Sequence, residues 1–339
     1  MSVNWSAVLA GLAALSAHAA NYELKATPQT VAVGYYWSEA KPVLKIQSGD
    51  TVKIQTAGGG GARAIAMGVP PDKVPPQIEA INKGVKDKGP GGHVLTGPIY
   101  IDNAEPGDVL EVRMQKIDLG VPYAMNAFRA TAGFLEEDFP YSRSKLIRLD
   151  GERMIGSFGN GIEIPLKPFF GSMGVAPPPQ AGRISSAPPW IHAGNIDNKE
   201  FVAGSTLYIP VHVKGALFEV GDGHAGQGDG EVDIQAMETS LVGTFQFVVR
   251  KDMHLTWPRG KTATHYIVMG MDEELVVATK IAVREMIDFL VKEKGLNKDD
   301  AYMLTSVAAD FHITQLVDGK KGVHGMISKS IFPAAGPAK

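Results

Sequence analysis

Residues 220–238 read V-G-D-G-H-A-G-Q-G-D-G-E-V-D-I-Q-A-M-E, setting Asp222, His224, Asp229, Glu231, Asp233 and Glu238 among five glycines. Glycine lets a backbone turn tightly and come close to a bound atom. Carboxylates and an imidazole are the hard and borderline ligands that Zn²⁺ or Ca²⁺ accepts. The stretch therefore reads as a cation site. The bland alternative is a glycine-rich surface hairpin with solvated acids.

A nucleotide reading fails on charge. Gly221, Gly223 and Gly226 satisfy G-x-G-x-x-G, and residues 216–220 could supply the strand before it. That fingerprint needs a helix next, with free N–H groups facing a pyrophosphate. Gln227-Gly228-Asp229-Gly230-Glu231 follows instead, poor helix material whose acids would repel phosphate. Residues 231–238 alternate as a strand would, with Val232, Ile234 and Ala236 on one face and Glu231, Asp233, Gln235 and Met237 on the other. Parity then turns Glu238 inward, where a carboxylate must meet a cation, bind a metal or keep its proton.

Two other polar concentrations could join this loop. Residues 84–92 form a glycine-rich loop that delivers His93 to the head of a strand over residues 93–101. Residues 189–200 offer His192 and Asp197, which complete a metal shell if the fold sets them beside Asp222 and His224; otherwise they are ordinary turn material. Ser185-Ser186 with Lys199 is too sparse, and too poor in surrounding glycine, to suggest a serine amidase.

The elements that position these loops are mainly strands. With 39 Gly and 22 Pro in 339 residues, many turns and short strands are expected. Strands are read at residues 31–36, 42–46, 51–56, 109–117 and 205–213, and proline-rich segments at 165–179 and 185–189 mark packed loops or a junction. The last third differs. A helix capped by Asp272, striped by Leu275, Ala278, Ala282, Met286 and Phe289/Leu290, stops at Gly295; a second begins at Asn297. A hairpin around Asp318-Gly319 follows, with His312 and His324 taken as structural or exposed. The chain divides into a leader (1–19), an N-terminal β-rich domain (20–180), a central β domain carrying the metal-site loops (181–270), an α+β section (271–333) and a tail (334–339).

Composition excludes several classes. A net charge of −3 with no basic run gives nucleic-acid binding no electrostatic support. The absence of cysteine rules out disulfides, thiolate zinc sites and a cysteine nucleophile, leaving His and carboxylates as ligands. Residues 8–20 are short, apolar and alanine-rich and end in Ala17-His18-Ala19, an A-x-A cleavage pattern, although no Lys or Arg precedes them. This reads as an export signal and a periplasmic or secreted protein, or a cytoplasmic one if the segment is not a cleaved signal. No other apolar stretch is long enough to span a bilayer, so no membrane is expected in the mature form.

Taken together, these residues resemble the acetamidase/formamidase family over nearly all of the chain beyond the leader. The blocks that carry the resemblance are G-P-G-G-H-V-L-T-G-P-I-Y (89–100), A-E-P-G-D-V-L (104–110), P-F-F-G-S-M-G-V-A-P (168–177), A-G-N-I-D-N-K-E-F-V-A-G-S-T-L-Y-I-P-V (193–211), G-A-L-F-E-V-G-D-G-H-A-G-Q-G-D-G-E-V (215–232) and A-Y-M-L-T-S-V-A (301–308). The resemblance implies a mainly β fold, with sandwich and barrel-like parts and a smaller α+β C-terminal section. It implies hydrolysis of short amides to carboxylate and ammonia, a divalent metal (zinc, with calcium as the alternative) and a homodimer. On the matching segments, it implies metal ligands drawn from Asp197, Asp222, His224 and Glu238, and catalytic groups His93, Asn195 and Gln227. Ala193 and Ile196 stand where relatives read G-G-N-M-D, and Met125 precedes Asn126 where an aromatic is common.

The expected chemistry is metal-assisted amide hydrolysis. A bound cation brings the pKa of water from 15.7 to about 7. Asn195 and Gln227 would stabilise the oxyanion, and His93 or an unligated carboxylate would protonate the leaving nitrogen. The rival is a non-catalytic exported β-protein with a structural Ca²⁺ in the acidic loop. EF-hand spacing is missing, since position six counted from Asp222 is Gln227 rather than glycine.

Overall fold

A computed structural model describes residues 19–333. The expected leader, save Ala19, and the expected tail at 334–339 lie outside the described residues. Strands dominate, as the glycine and proline content and the short apolar alternations require, and they gather into two large sheets.

The nine-stranded sheet runs in the order Asn21–Leu24, Thr51–Gln55, Leu241–Arg250, Val109–Leu119, Thr206–Pro210, Arg259–Lys261, His265–Asp272, Lys321–Ser328, Ala309–Gln315. It draws strands from all three of the expected domains, so boundaries at 180 and 270 do not separate sheets. Long-range pairing overrides the local composition shifts on which those boundaries rested.

The second sheet bears Asp222, His224 and Glu238. Its spine runs Arg143–Asp150, Tyr123–Phe128, Glu238–Thr239, Phe218–His224, Phe169–Gly174, Ala193–Asn195. Strand Val94–Ile101 also pairs with Phe218–His224, so that strand stands among three antiparallel partners. Phe170 and Phe218 from this sheet meet Phe245 and Phe247 from the other, with ring centroids 5.0–6.3 Å apart, and all four side chains are buried. Each such burial contributes about 1.5–3 kcal/mol. This aromatic seam fixes the spacing of the sheets.

The C-terminal section forms as its pattern demands. Helix Leu275–Lys294 buries Ala278, Ala282, Met286, Phe289 and Leu290 and ends at Gly295 in the left-handed conformation. Asn297 caps helix Lys298–Ala308 by accepting from the Asp300 N–H at 2.9 Å. Asp272 is not the cap of the first helix. It closes strand His265–Asp272 and accepts from Glu274 N–H, two residues ahead of the observed cap position at Glu274.

Two sequence expectations fail locally. Residues 31–36 are not one strand, because Gly34 at φ +82° breaks them into Val31–Val33 and Tyr35–Trp37. Residues 231–238 are not a strand before Glu238. Glu231 and Ile234 take φ +44° and +74°, and Asn126 Nδ2 holds the loop by donating to Asp233 and to the Gln235 and Ala236 carbonyls. Val232 is consequently exposed and Met237 buried, the reverse of the alternation. Side-chain hydrogen bonds to the loop backbone outcompete the period-two pattern here.

Candidate active site

Strand Phe218–His224 ends in the cluster. His224 lies opposite Glu238 across an antiparallel rung, its side chain fully buried and its Nε2 3.3 Å from both Asp222 Oδ2 and Glu238 Oε1. Asp197 arrives from the turn after strand Ala193–Asn195, its N–H donating to the Gly171 carbonyl at 3.1 Å. A Cβ on Gly171 would stand 2.5 Å from Asp197 Oδ1, 2.5 Å from Asp222 Oδ2 and 2.7 Å from the His224 ring. That glycine is the floor on which three segments converge.

The structure thus brings Asp197, Asp222, His224 and Glu238 together, and it adds two acids that stood outside the expected ligand set. Glu231, expected to face solvent, is buried beside Asp197 and His224. Asp318, read only as a hairpin turn residue, lines the cavity and accepts from Asn195 Nδ2 at 3.0 Å. The Asp-Gly dipeptide is so strong a turn signal that it conceals a second use of the side chain. Asp197, Asp222, Glu231 and Asp318 all take positive φ (+46°, +54°, +44° and +59°). Residues other than glycine adopt that region at a cost and cluster there at functional sites.

The remaining expected residues divide. His93 stands just ahead of strand Val94–Ile101 with Nε2 3.8 Å from Asp222 Oδ2, facing the cavity. Asn195 is present, but both of its N–H groups are committed, to Asp197 Oδ2 at 2.8 Å and to Asp318, so it clamps the acids and has no donor left for an oxyanion. Gln227 donates to the Asp197 carbonyl at 2.9 Å and is not among the residues lining the cavity. His192 does not join. It is buried edge-on to Tyr36, 4.9 Å between centroids, and burial pushes its pKa down to about 3. His324 is also buried, donating to or accepting from Thr314 at 2.7 Å, while His312 stacks on it, partly exposed.

The electrostatics call for a cation. Burial, then Glu231, Asp222 and Asp318, raise Asp197 well above the usual carboxylate range. Burial likewise raises Glu231 and Glu238, and pushes Asp318 up to about 6. Burial works against His224's charge, yet Glu238 and Asp222 overcome it and hold the ring's pKa well above normal. Burial also opposes charge on Asp222, but His224 and His93 reverse that and depress its carboxyl. So many buried acids beside one imidazole are stable only when protonated or when sharing a positive ion.

The donor set meets that requirement. Asp197, His224 and Glu231, and again Asp222, His224 and Glu238, each offer three ligand atoms within 4.8 Å of one another. Among the described residues, His224 Nδ1 and Nε2, Asp197 Oδ1 and Glu231 Oε2 are buried without hydrogen-bond partners. The residues present fit a divalent metal. Beside them opens a cavity of about 980 Å³, whose walls include Gly59, His93, Arg63, Arg129, Glu136 and Asp318. Among the described residues, no helix is long and apolar enough to cross a membrane.

Comparison with known proteins points one way. A family model described as the Acetamidase/Formamidase family matches residues 35–182 and 180–333. The chain is 28% identical to the formamidase of Methylophilus methylotrophus over 300 residues, covering 67% of this chain and 73% of that protein. Its fold matches the acetamidase of Yersinia enterocolitica with a TM-score of 0.81 at 29% identity, over 94% of this chain and 95% of that one. The acetamidase of Bacillus halodurans matches with a TM-score of 0.77 at 29% identity, over 91% and 98%. The chain spans only 47% and 55% of the length of two other curated relatives that it matches.

Proposed function

The chain belongs to the acetamidase/formamidase family, and from that premise we propose that it hydrolyses a short linear amide to a carboxylate and ammonia at a divalent-metal site centred on His224. The observation that carries the reading is the convergence of Asp197, Asp222, Glu231 and Glu238 on one buried imidazole at the edge of a cavity.

His224 with Asp222 and Glu238, or with Asp197 and Glu231, would hold the ion. Nitrogen among the ligands favours zinc over calcium, which takes oxygen ligands. When bound, the ion lowers a water's pKa to about 7 and so supplies a nucleophile at neutral pH.

The protein's own groups do the rest. Asn195, with both N–H groups spent on carboxylates, keeps Asp197 and Asp318 at fixed positions. Water oxygen adds to the amide carbon, the C–N bond breaks, and the nitrogen must take a proton to leave as ammonia. Asp318 stands outside both ligand sets, lines the cavity and has its carboxyl pushed up to about 6. A carboxyl at that position, outside the ligand sets and facing the cavity, can supply the proton and be recharged from the acid product. The role of proton donor thus falls to Asp318 rather than His93.

The test is ammonia release from formamide, acetamide and propionamide, before and after chelation and after zinc is restored. Turnover lost on chelation with the fold intact supports the reading. No turnover of any amide, with unfolding on chelation, favours a structural ion.

A further inference from the structure

A buried hydroxyl stands against His93, one of the residues lining the cavity. Ser186 is fully buried, and its Oγ lies 2.9 Å from His93 Nδ1 and 3.4 Å from the His93 backbone N–H. The fold is shaped around this contact. The Gly34 carbonyl accepts from both Gly91 N–H (2.9 Å) and Ser186 N–H (3.1 Å), while Gly34 N–H donates to the His93 carbonyl at 2.8 Å. A Cβ on Gly91 would collide with Ser186 Oγ, so the loop before His93 closes over Ser186 only because glycine stands there.

Hydrogen-bond accounting then fixes a proton. The backbone N–H of His93 can only donate, so Ser186 Oγ accepts it. The hydroxyl hydrogen needs an acceptor of its own in a buried place. Among the described residues, the remaining polar partner of Oγ is His93 Nδ1. If Nδ1 accepts, the neutral ring carries its hydrogen on Nε2, the nitrogen that faces Asp222 and the cavity.

We propose that Ser186 is a positioning residue that locks His93 as the Nε2–H tautomer, aimed into the cavity as a hydrogen-bond donor to the amide carbonyl oxygen as charge develops on it. Asn195 has spent its donors and Gln227 lies off the cavity, whereas His93 lines it with Nε2 3.8 Å from Asp222. A neutral imidazole polarises a carbonyl without transferring its proton, and another residue must then protonate the nitrogen. The inference rests on the amide-hydrolase reading for what the donor serves, although the tautomer itself can be read without turnover.

The experiment has two arms on the full chain. Nitrogen-15 NMR of histidine-labelled protein, with His93 assigned by its loss in His93→Gln, is expected to show Nδ1 unprotonated and accepting, and Nε2 bearing hydrogen. In Ser186→Ala this signature becomes a mixture of tautomers. Kinetically, Ser186→Ala should lower kcat by about 10–100-fold with KM little changed, as for other groups that orient a working histidine. His93→Gln, which keeps an N–H but cannot relay a proton, should retain more activity than His93→Ala. A wild-type ring protonated at Nδ1, or full kcat in Ser186→Ala, overturns the proposal. Absence of amide turnover in the wild type would overturn the hydrolase reading, while the tautomer signature would still be measured.

Discussion

His224 Nε2 stands 3.3 Å from Glu238 Oε1 across one rung of the sheet, with Asp222 Oδ2 at the same distance on its other side. A ring held between two carboxylates is where an ion would be gripped. Glu238→Gln keeps the shape and removes the charge. It should weaken zinc binding by more than the ~10–100-fold typical of outer groups around a metal, with turnover falling in step. Competition titration against a coloured chelator reads the first and ammonia release the second.

Gly171→Ala tests the floor of the site. The new methyl would meet Asp197 and Asp222 oxygens at 2.5 Å, too close for either to stay. Zinc retained after dialysis should drop to background while circular dichroism keeps its β signature. Full zinc content would show that the ion does not depend on that convergence.

Asp318 provides a pH signature. Burial pushes its carboxyl up to about 6, against about 3.9 in an unfolded chain. Between those values the folded protein holds a proton that the unfolded chain has released, so this group's contribution to stability falls as pH rises from about 4 to 6 and is constant above. Asp318→Asn should therefore gain on the wild type across that window, measured as the difference in urea midpoint on metal-free protein. A difference that does not change with pH would mean the carboxyl is not perturbed.

The cavity's size makes a statement about substrates. At about 980 Å³ it lies at the upper end of pockets that enclose drug-sized ligands. A pocket matched to acetamide would change rate roughly 10–200-fold per methylene. Here, kcat/KM for amides of four or five carbons should stay within about tenfold of acetamide's. A steep fall beyond two carbons would show that the space is closed off during turnover.

The aromatic seam carries the sheets' stability rather than the chemistry. Phe245 is fully buried and meets Phe170 and Phe218. Phe245→Ala should cost about 3–5 kcal/mol, seen as a lowered denaturation midpoint, with zinc affinity unchanged under native conditions.

Much of this site could be read along the chain. The acid-and-glycine loop at 220–238 and the loop-borne His93 show in residue types and spacing, whereas Glu238 reaches the cluster without the strand parity expected to turn it there. What stayed hidden was conformational. Glu231 faces inward because a left-handed residue and the Asn126 hydrogen bonds break the strand that would have turned it out. Asp318 hid inside an Asp-Gly turn, and Ser186 inside a Ser-Ser pair weighed only as a nucleophile. Each gains its role from a partner more than 90 residues away, which no local pattern records. The same holds for the sheets: strand periodicity marks many of the strands, but not that one sheet gathers strands from residue 21 to residue 328.

Asp318 sits at the tip of the last hairpin, between strands Ala309–Gln315 and Lys321–Ser328. Its carboxylate is therefore held in place by the pairing of those two strands as much as by Asn195. A one-residue slip in their register would swing it to the opposite side of the sheet.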